Sequence, residues 1–565
     1  MNKNNVTKFL IKSFIASIMA LMVVSVFAQK TKPLRVEIEA KKGSDNYNVV
    51  PLGADGLIMF YESDERSNGK KIWEFSKYNN NLKEEWTKEV PIPPSSSMIK
   101  YYVDEKSDIL YVLLGYIKRM GSTAYLSSNE VSGSFQIVSV NTETGTNTTI
   151  LGKFPQTLSV RDFVVINNKA SIMGLTDPGS VAACLQSCFT FTCIPAITGL
   201  TVYKYKSLIV NIDLGSSKYS IIPVKYKGNT LILSSNVVDN TPSFIKTFIR
   251  NKPSSKLLIQ YINDYSEDGQ LIKTTTLNPT VGKMISSAKY EKISDNEAIM
   301  IGTYDSQFIS GLVLNPASSD ATGMTTNSEG IYFSKFNEGQ QDTIKFYSFS
   351  KFENFLSYMD PGEMKQAIKR KNRAEKRGEE LDVNYNILTH NIIKRNDEYI
   401  LIGEAYYPEF QTQCYTTYAS NGFPIQHCTT VFVGYRYTHA IIADFDKDGE
   451  LLWDNCFPIQ DILTLNLKER VKVMTIDNDN DIVLAYSYGG FIKSQIIEGD
   501  KVVQGKEENK IETTYENDQV KEDWSSDMDF WYDNYFLTWG YQKIKNDQTN
   551  KGKRTVFYFN KIGLE

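Results

Sequence analysis

One short unit recurs eight times along this chain, and no other feature limits the fold as tightly. A turn residue (Asp, Asn or Gly) precedes an apolar run that usually ends in Gly, Ser or Tyr. The copies read DGLIMFY (55–61), DILYVLLGY (108–116), NKASIMG (168–174), GNTLILSS (228–235), DNEAIMIGTY (295–304), DEYILIGEAY (397–406), DIVLAYSY (481–488) and DNYFLTWGY (533–541). Apolar runs this short, bounded by turn formers, are strands buried on both faces, because helices of that length are marginal.

A second signal follows most copies: an alternating strand, a turn, and another alternating strand. IWEFSKYNNNLKEEWTKEV (72–90), FQIVSVNTETGTNTTIL (135–151), LLIQYINDYSEDGQLIKTTTL (257–277) and AIIADFDKDGELLWDNCF (440–457) are the clearest, with weaker versions at 207–224, 331–348 and 491–512. Turn formers between period-2 segments are the hairpin signature. Strand-like segments such as YNVVPLG, RDFVVINN and NILTHNII stand just upstream of the repeat. Each unit is therefore a four-stranded antiparallel meander, a to d, with the repeat itself as strand b. Such units arranged radially make an all-β β-propeller.

The ends fit a closed ring. The last unit supplies b (533–541) and c (RTVFYFNKI, 554–562), with no fourth strand before Glu565, whereas LRVEIEA (34–40) is a spare strand ahead of the first unit. Pairing the two removes two open sheet edges. Eight blades follow. Seven is the alternative, because the fourth copy has only one good strand between 218 and 227, and two stacked β-sandwiches also accommodate short, evenly spaced strands.

Residues 1–28 carry the three parts of a cleaved export signal: Lys3, Lys8 and Lys12, an apolar stretch from Phe14 to Phe27, and Val26-Phe27-Ala28 at the cleavage point. About 14 apolar residues are short for a membrane span of ~20. The expected mature chain, 29–565, is one propeller domain, placed in the periplasm, at the cell surface or outside the cell. Its net charge of −4 supplies no general attraction to nucleic acid or anionic lipid. Six cysteines (Cys184, Cys188, Cys193, Cys414, Cys428, Cys456) in an oxidising compartment permit up to three disulfides in 15 pairings, among which the sequence does not choose.

The stretch FDKDGELLW (445–453) is similar to the hairpin of several propeller repeat families, and the whole chain resembles exported bacterial β-propeller-like proteins. No GH…WD, kelch diglycine or tryptophan docking signature recurs between units. The resemblance implies architecture and carries over no activity and no site residue.

In such a meander the b–c and d–a connections share one face. Long insertions fall in these classes: 117–134, 176–204 with three cysteines, 350–383, and 407–434 with two more. Long loops on a rigid scaffold carry binding. Within 350–383, GEMKQAIKRKNRAEKRGEE predicts a short solvated helix. Segment 181–200 is apolar for a loop, too interrupted for a membrane span, and suited to a patch for a partner.

The only three histidines belong to the sixth unit: His390, His427 and His439. Strict alternation puts Tyr435, Tyr437 and His439 on one face of strand c, with Glu404, Tyr406 and Tyr407 at the end of strand b. His390, Glu404 and His439 are the candidates for acid–base chemistry, and Tyr406, Tyr407, Tyr435 and Tyr437 for binding. The competing reading has the histidines bonded to backbone and the tyrosines filling the space between blades. DFDKDG (444–449) begins like a calcium loop, but position 12 is Asn455 and the flanks are strands, so a hairpin without metal is expected. No GxSxG, HExxH, Walker or GxGxxG motif occurs. The expectation is a non-enzymatic binding or scaffold propeller for a protein or glycan, with no cofactor. A glycan or peptide hydrolase or lyase, or a cell-envelope assembly component, are the alternatives.

Overall fold

The computed structural model describes residues 34–563 apart from 41–46, 118–129, 155–156, 177–205, 239–243, 253–258, 279–281, 306–326, 379–382, 384, 419–422, 461, 466, 477–480 and 548–551. Within these residues the chain forms eight four-stranded antiparallel units in sequence order: 48–92, 97–153, 158–223, 229–277, 284–348, 385–458, 472–510, and 519–563 together with Leu34–Glu39. Units two and three are joined into one larger sheet where Leu158 and Ser159 pair with Val131 and Glu130.

The ring is visible in the packing. Strand b of each blade lies between two others in its own sheet, so its alternate residues face two different neighbouring blades. In blade one, Ile58 and Phe60 pack with Leu110, Val112 and Val138 of blade two, whereas Leu57 and Met59 pack with Leu537, Phe557 and Phe559 of blade eight. In blade six, Ile400 and Ile402 meet Leu484 and Tyr486 of blade seven, and Tyr399 and Leu401 meet Ile301 and Phe333 of blade five. Equivalent apolar layers join blades two to three, three to four, four to five, and seven to eight. Every blade thus hides two faces, which is why the repeat reads as an unbroken apolar run.

Closure is by the N-terminal strand. Leu34–Glu39 pairs antiparallel with the c strand of blade eight (Gly552–Gly563), from Leu34 against Lys561 to Glu39 against Val556. Trp531 Nε1 also donates to the Gly56 carbonyl at 2.8 Å across the seam.

The glycine that ends many copies of the repeat has a packing cause. In blades two, three, four, five, six and eight the inner strand a carries an extra residue at mid-length, a bulge, which in blade eight is one of three along the strand. In five of these the b strand presents glycine near that step: Gly115, Gly174, Gly302, Gly403 and Gly540. A Cβ on Gly302 would lie 2.1 Å from the Ser287 carbonyl oxygen, and one on Gly174 would lie 2.5 Å from that of Ser159. The bulged backbone leans on the bare glycine.

Blade four corrects the sequence assignment. Its GNTLILSS segment is strand a (Asn229–Val238), and strand b is Phe244–Lys252. The strand between 218 and 227 (Tyr219–Pro223) closes blade three from outside, so blade four has its own full set and the seven-blade alternative falls. The true b strand has no apolar run because it buries polar groups. Thr247, Arg250 and Asn251 are buried there, with Arg250 donating to the Ile285 carbonyl at 2.7 Å.

The expected helix is present between blades five and six as α1 (Pro361–Lys376). The 407–434 insertion is not an irregular loop. Strands b (Glu398–Tyr418) and c (Pro424–Asp446) of blade six run on beyond the blade and pair with each other as a ribbon. Of the other two insertions, residues 118–129 and 177–205 lie outside the described residues.

Candidate functional site

Sequence alternation fails at Thr438 of blade six, and the failure divides the predicted site. Ala405 faces His439 across the ladder while the next residue, Tyr406, faces Tyr437, so Thr438 is an extra residue in strand c. A bulge of one residue reverses the side-chain parity beyond it. Tyr435 and Tyr437 therefore join Tyr406 against blade seven, whereas His439 lies on the opposite face, toward blade five. The predicted single face of Tyr435, Tyr437 and His439 does not form.

The structure does bring His390 and Glu404 together. His390 Nε2 is 2.7 Å from Glu404 Oε1, and Glu404 is wholly buried. The Glu404 carboxylate also accepts the backbone N–H groups of Arg470 (2.8 Å) and Val471 (2.9 Å). An acceptor saturated in this way fixes the proton of a neutral His390 on Nε2. Nδ1 is left 4.0 Å from Glu469 Oε2. Tyr437 belongs to the same face and donates from its hydroxyl to the Lys468 carbonyl at 2.6 Å.

His439 has a different environment. It is fully buried, stacked on Tyr358 at 3.8 Å between ring centres, with the edges of Phe355 and Tyr385 against it. Its Nδ1 lies 2.9 Å from Thr438 Oγ1. Burial lowers its pKa to about 3, which keeps the ring neutral at ordinary pH and makes it a poor base. Three candidates for one acid–base site are thus split between two faces of a sheet.

His390 is part of a larger charged belt that sequence reasoning missed. Lys100 and Tyr101 of blade two, Asp162 of blade three, Lys289 of blade five, Glu469, Arg470 and Lys472 of blade seven, and Asp527 and Asp529 of blade eight all lie on or beside inner strands. Lys100 and Asp162 are 3.9 Å apart, Lys289 donates to Asn391 at 3.1 Å, and Lys472 lies 3.4 Å from Asp529. Burial lowers the Lys289 pKa, while Glu469 and Asp162 oppose that and Lys100 adds to it. Tyr101, although 42% exposed, has its pKa raised by desolvation inside the ring, assisted by Asp529. Burial also works against the Lys472 charge, but Asp529, Asp527 and Glu469 outweigh it and leave its pKa raised. Blades five and two are three apart in the ring, so such charges influence one another only by facing the axis. The belt balances its own charges. For Lys100, Asp162, Lys289 and Asp527 its signal in the sequence was the position at a bulge, legible only once strand a is aligned on strand b.

On the insertion face, the ribbon carries a disulfide between directly opposed Cys414 and Cys428. Tyr407, Phe410, Tyr415, Tyr418, Phe423 and Ile425 are all exposed, Tyr418 by 75%. His427 stacks on Tyr415 across the strands and bonds to Thr417 Oγ1 at 2.8 Å. Cys456 is a free, buried thiol whose pKa burial raises to about 12; Cys184, Cys188 and Cys193 lie outside the described residues.

The DFDKDG segment is a hairpin turn. Asp446 Oδ1 accepts the N–H groups of Asp448 and Glu450, and Asp448 reaches Lys335 of blade five at 3.4 Å. Among the described residues no three His, Cys, Asp or Glu side chains stand close enough to hold a metal.

Asp444, by contrast, is fully buried, and neither of its carboxyl oxygens meets a donor among the described residues. Burial, reinforced by Glu398 and partly opposed by Arg395, raises its pKa to about 7. The folded state therefore holds this proton more tightly than the unfolded chain, and stability contributed by the protonated form is lost as pH rises from about 4 to about 7. Asp444→Asn is expected to leave the unfolding free energy from urea titration unchanged at pH 4 and to raise it at pH 8, by on the order of 1–2 kcal/mol. An equal effect at both pH values would refute this.

No protein-family model matches this chain, and no curated protein matches its sequence. Solved structures similar to it include the polysaccharide lyase Uly1 (11% identity over 94% of this chain and 100% of that one, TM-score 0.34) and a eukaryotic initiation factor (9%, 93% and 89%, TM-score 0.35). The β-propeller domain of the Trilobed protease from Pyrococcus furiosus is another (9%, 84% and 98%, TM-score 0.32). At these scores none of them bears on activity.

Proposed function

We propose that this chain is an exported, non-enzymatic binding propeller of the cell envelope, whose insertion-bearing face engages a macromolecular partner. One observation carries the reading: a stapled two-stranded ribbon that leaves the blade and exposes aromatic side chains along its length. A projecting element without a core of its own gains nothing for the fold by exposing these rings, and exposed apolar surface on a rigid support marks interaction sites. The Cys414–Cys428 bridge is compatible with an oxidising compartment, which an export signal ending at Ala28 would reach. Among the described residues no helix is long and apolar enough to cross a membrane.

A hydrolase or lyase using His390, Glu404 and His439 together is disfavoured by their placement on two faces. A role for the 181–200 patch in an envelope assembly rests on residues outside those described.

The test is photo-crosslinking in intact producing cells. A photoreactive residue at Tyr415 or Tyr418 is expected to give a discrete adduct, whereas one at Leu452 or Val503, exposed on outer strands, gives none. Adducts from both sets alike, or from neither, would overturn the reading.

A further inference from the structure

We propose that the ribbon of blade six binds its partner by strand addition, taking an extended, uncharged polypeptide segment of another protein onto the outer edge of its first strand. The inference rests on the binding role above and names the partner's chemistry. Its first support is composition. From Phe410 to Tyr435 there is no Asp, Glu, Lys or Arg, in a chain that is 23% charged. Exposed sheet edges are ordinarily guarded by charge, lysine above all, because an open row of N–H and C=O groups invites another strand. This edge is long, exposed and unguarded. From Gln411 to Tyr418 no other strand lies along its outer side among the described residues.

The register identifies which groups face outward. In an antiparallel pair, directly opposed residues about 4.5 Å apart at Cα are the non-hydrogen-bonded kind, and their N–H and C=O point away from the partner strand. Cys414 and Cys428 are 4.1 Å apart at Cα. Cys414 therefore directs its backbone groups to the outer edge, and the residues two away, Thr412 and Thr416, do the same. The disulfide holds the ribbon in this register while leaving its edge open.

The side chains favour recognition through the main chain. Gln411, Gln413, Tyr415 and Thr417 occupy one face, and Thr412, Cys414, Thr416 and Tyr418 the other. Neither is a continuous apolar surface of the kind that seats in a bilayer. A charged segment would lose hydration beside this ribbon with no counter-charge in return, so an uncharged one is preferred.

The test uses the full chain with its disulfide closed and a displayed library of random linear peptides as the probe. Peptides free of charged residues and of proline are expected to be enriched. Thr412→Pro and Thr416→Pro each remove one outward N–H and spare the ribbon's own ladder, as edge positions allow. Together they are expected to weaken capture about tenfold, and N-methylation of alternate peptide amides to do the same. Non-reducing peptide mapping checks that Cys414–Cys428 remains closed in the variants. Capture indifferent to both changes, enrichment of charged peptides, binding only to phospholipid vesicles, or a chain that pairs only with a second copy of itself would each overturn strand addition. If a photoreactive residue at Tyr415 or Tyr418 still gives the adduct in cells at undiminished yield when both prolines are present, strand addition falls and the binding role stands. If it gives none in the chain without the prolines, both fall.

Discussion

Removal of residues 34–40 is expected to lower the urea midpoint of this propeller sharply. Without that strand the c strand of blade eight (Gly552–Gly563) has an open edge, and the layer in which Ala40, Leu57, Met59, Phe557 and Phe559 meet loses one wall. The strand is also anchored by charge. Arg35 Nε is 2.8 Å from Glu37 Oε1, its other nitrogens donate to Gln542 (2.9 Å) and Asn560 (3.1 Å), and its guanidinium lies over the Tyr558 ring. Glu37 in turn meets Arg554, which pairs with the buried Asp518 at 2.5 Å. Burial lowers the Arg35 pKa while Glu37 restores part of it, so the charge is kept by its partners. Removing one member of such a network strands the others, at a cost of about 3–5 kcal/mol. Arg35→Ala should therefore reproduce much of the truncation, read as a lowered urea midpoint by circular dichroism. An unchanged midpoint for both variants would show that the ring does not depend on this seam.

Gly302→Ala is expected to destabilise the fold by about 2–4 kcal/mol, a large effect for one methyl group. The added carbon would stand 2.1 Å from a backbone oxygen, that of Ser287, and backbone cannot yield as a side chain tip does. Relief requires the inner strand of blade five to shift, and with it Lys289 two residues on. Gly362→Ala, in the first turn of α1 with nothing within 4 Å of the new atom, is the matched control. There the better helix propensity of alanine should leave stability equal or slightly improved, by up to ~1 kcal/mol. Thermal unfolding of both variants decides the matter. Equal effects would mean that the repeat glycines are not set by the bulge.

These cases show how unevenly the structure was written in the sequence. The closing strand was legible because LRVEIEA has no other strand to pair with and the last unit lacks one. Blade four was misregistered because its b strand buries Thr247, Arg250 and Asn251 in place of an apolar run, and periodicity cannot distinguish a satisfied buried polar strand from an exposed one. The His390–Glu404 contact followed from their closeness in one unit. The separation of His439 did not, because a single extra residue at Thr438 changes no composition and no motif.

What the sequence determined alone was most of what repeats or acts locally: strands buried on two faces, four to a unit, short Asn/Asp/Gly turns, one charged helix, and the strand held over for closure, with eight units favoured over seven. Each depends on side-chain polarity at fixed spacing, which the chain carries on its face. The tertiary structure alone decided which way side chains point past a bulge, which charges from distant blades meet at the axis, and that the 407–434 insertion is a paired ribbon. Those depend on contacts between segments hundreds of residues apart, or on a parity that one residue can reverse.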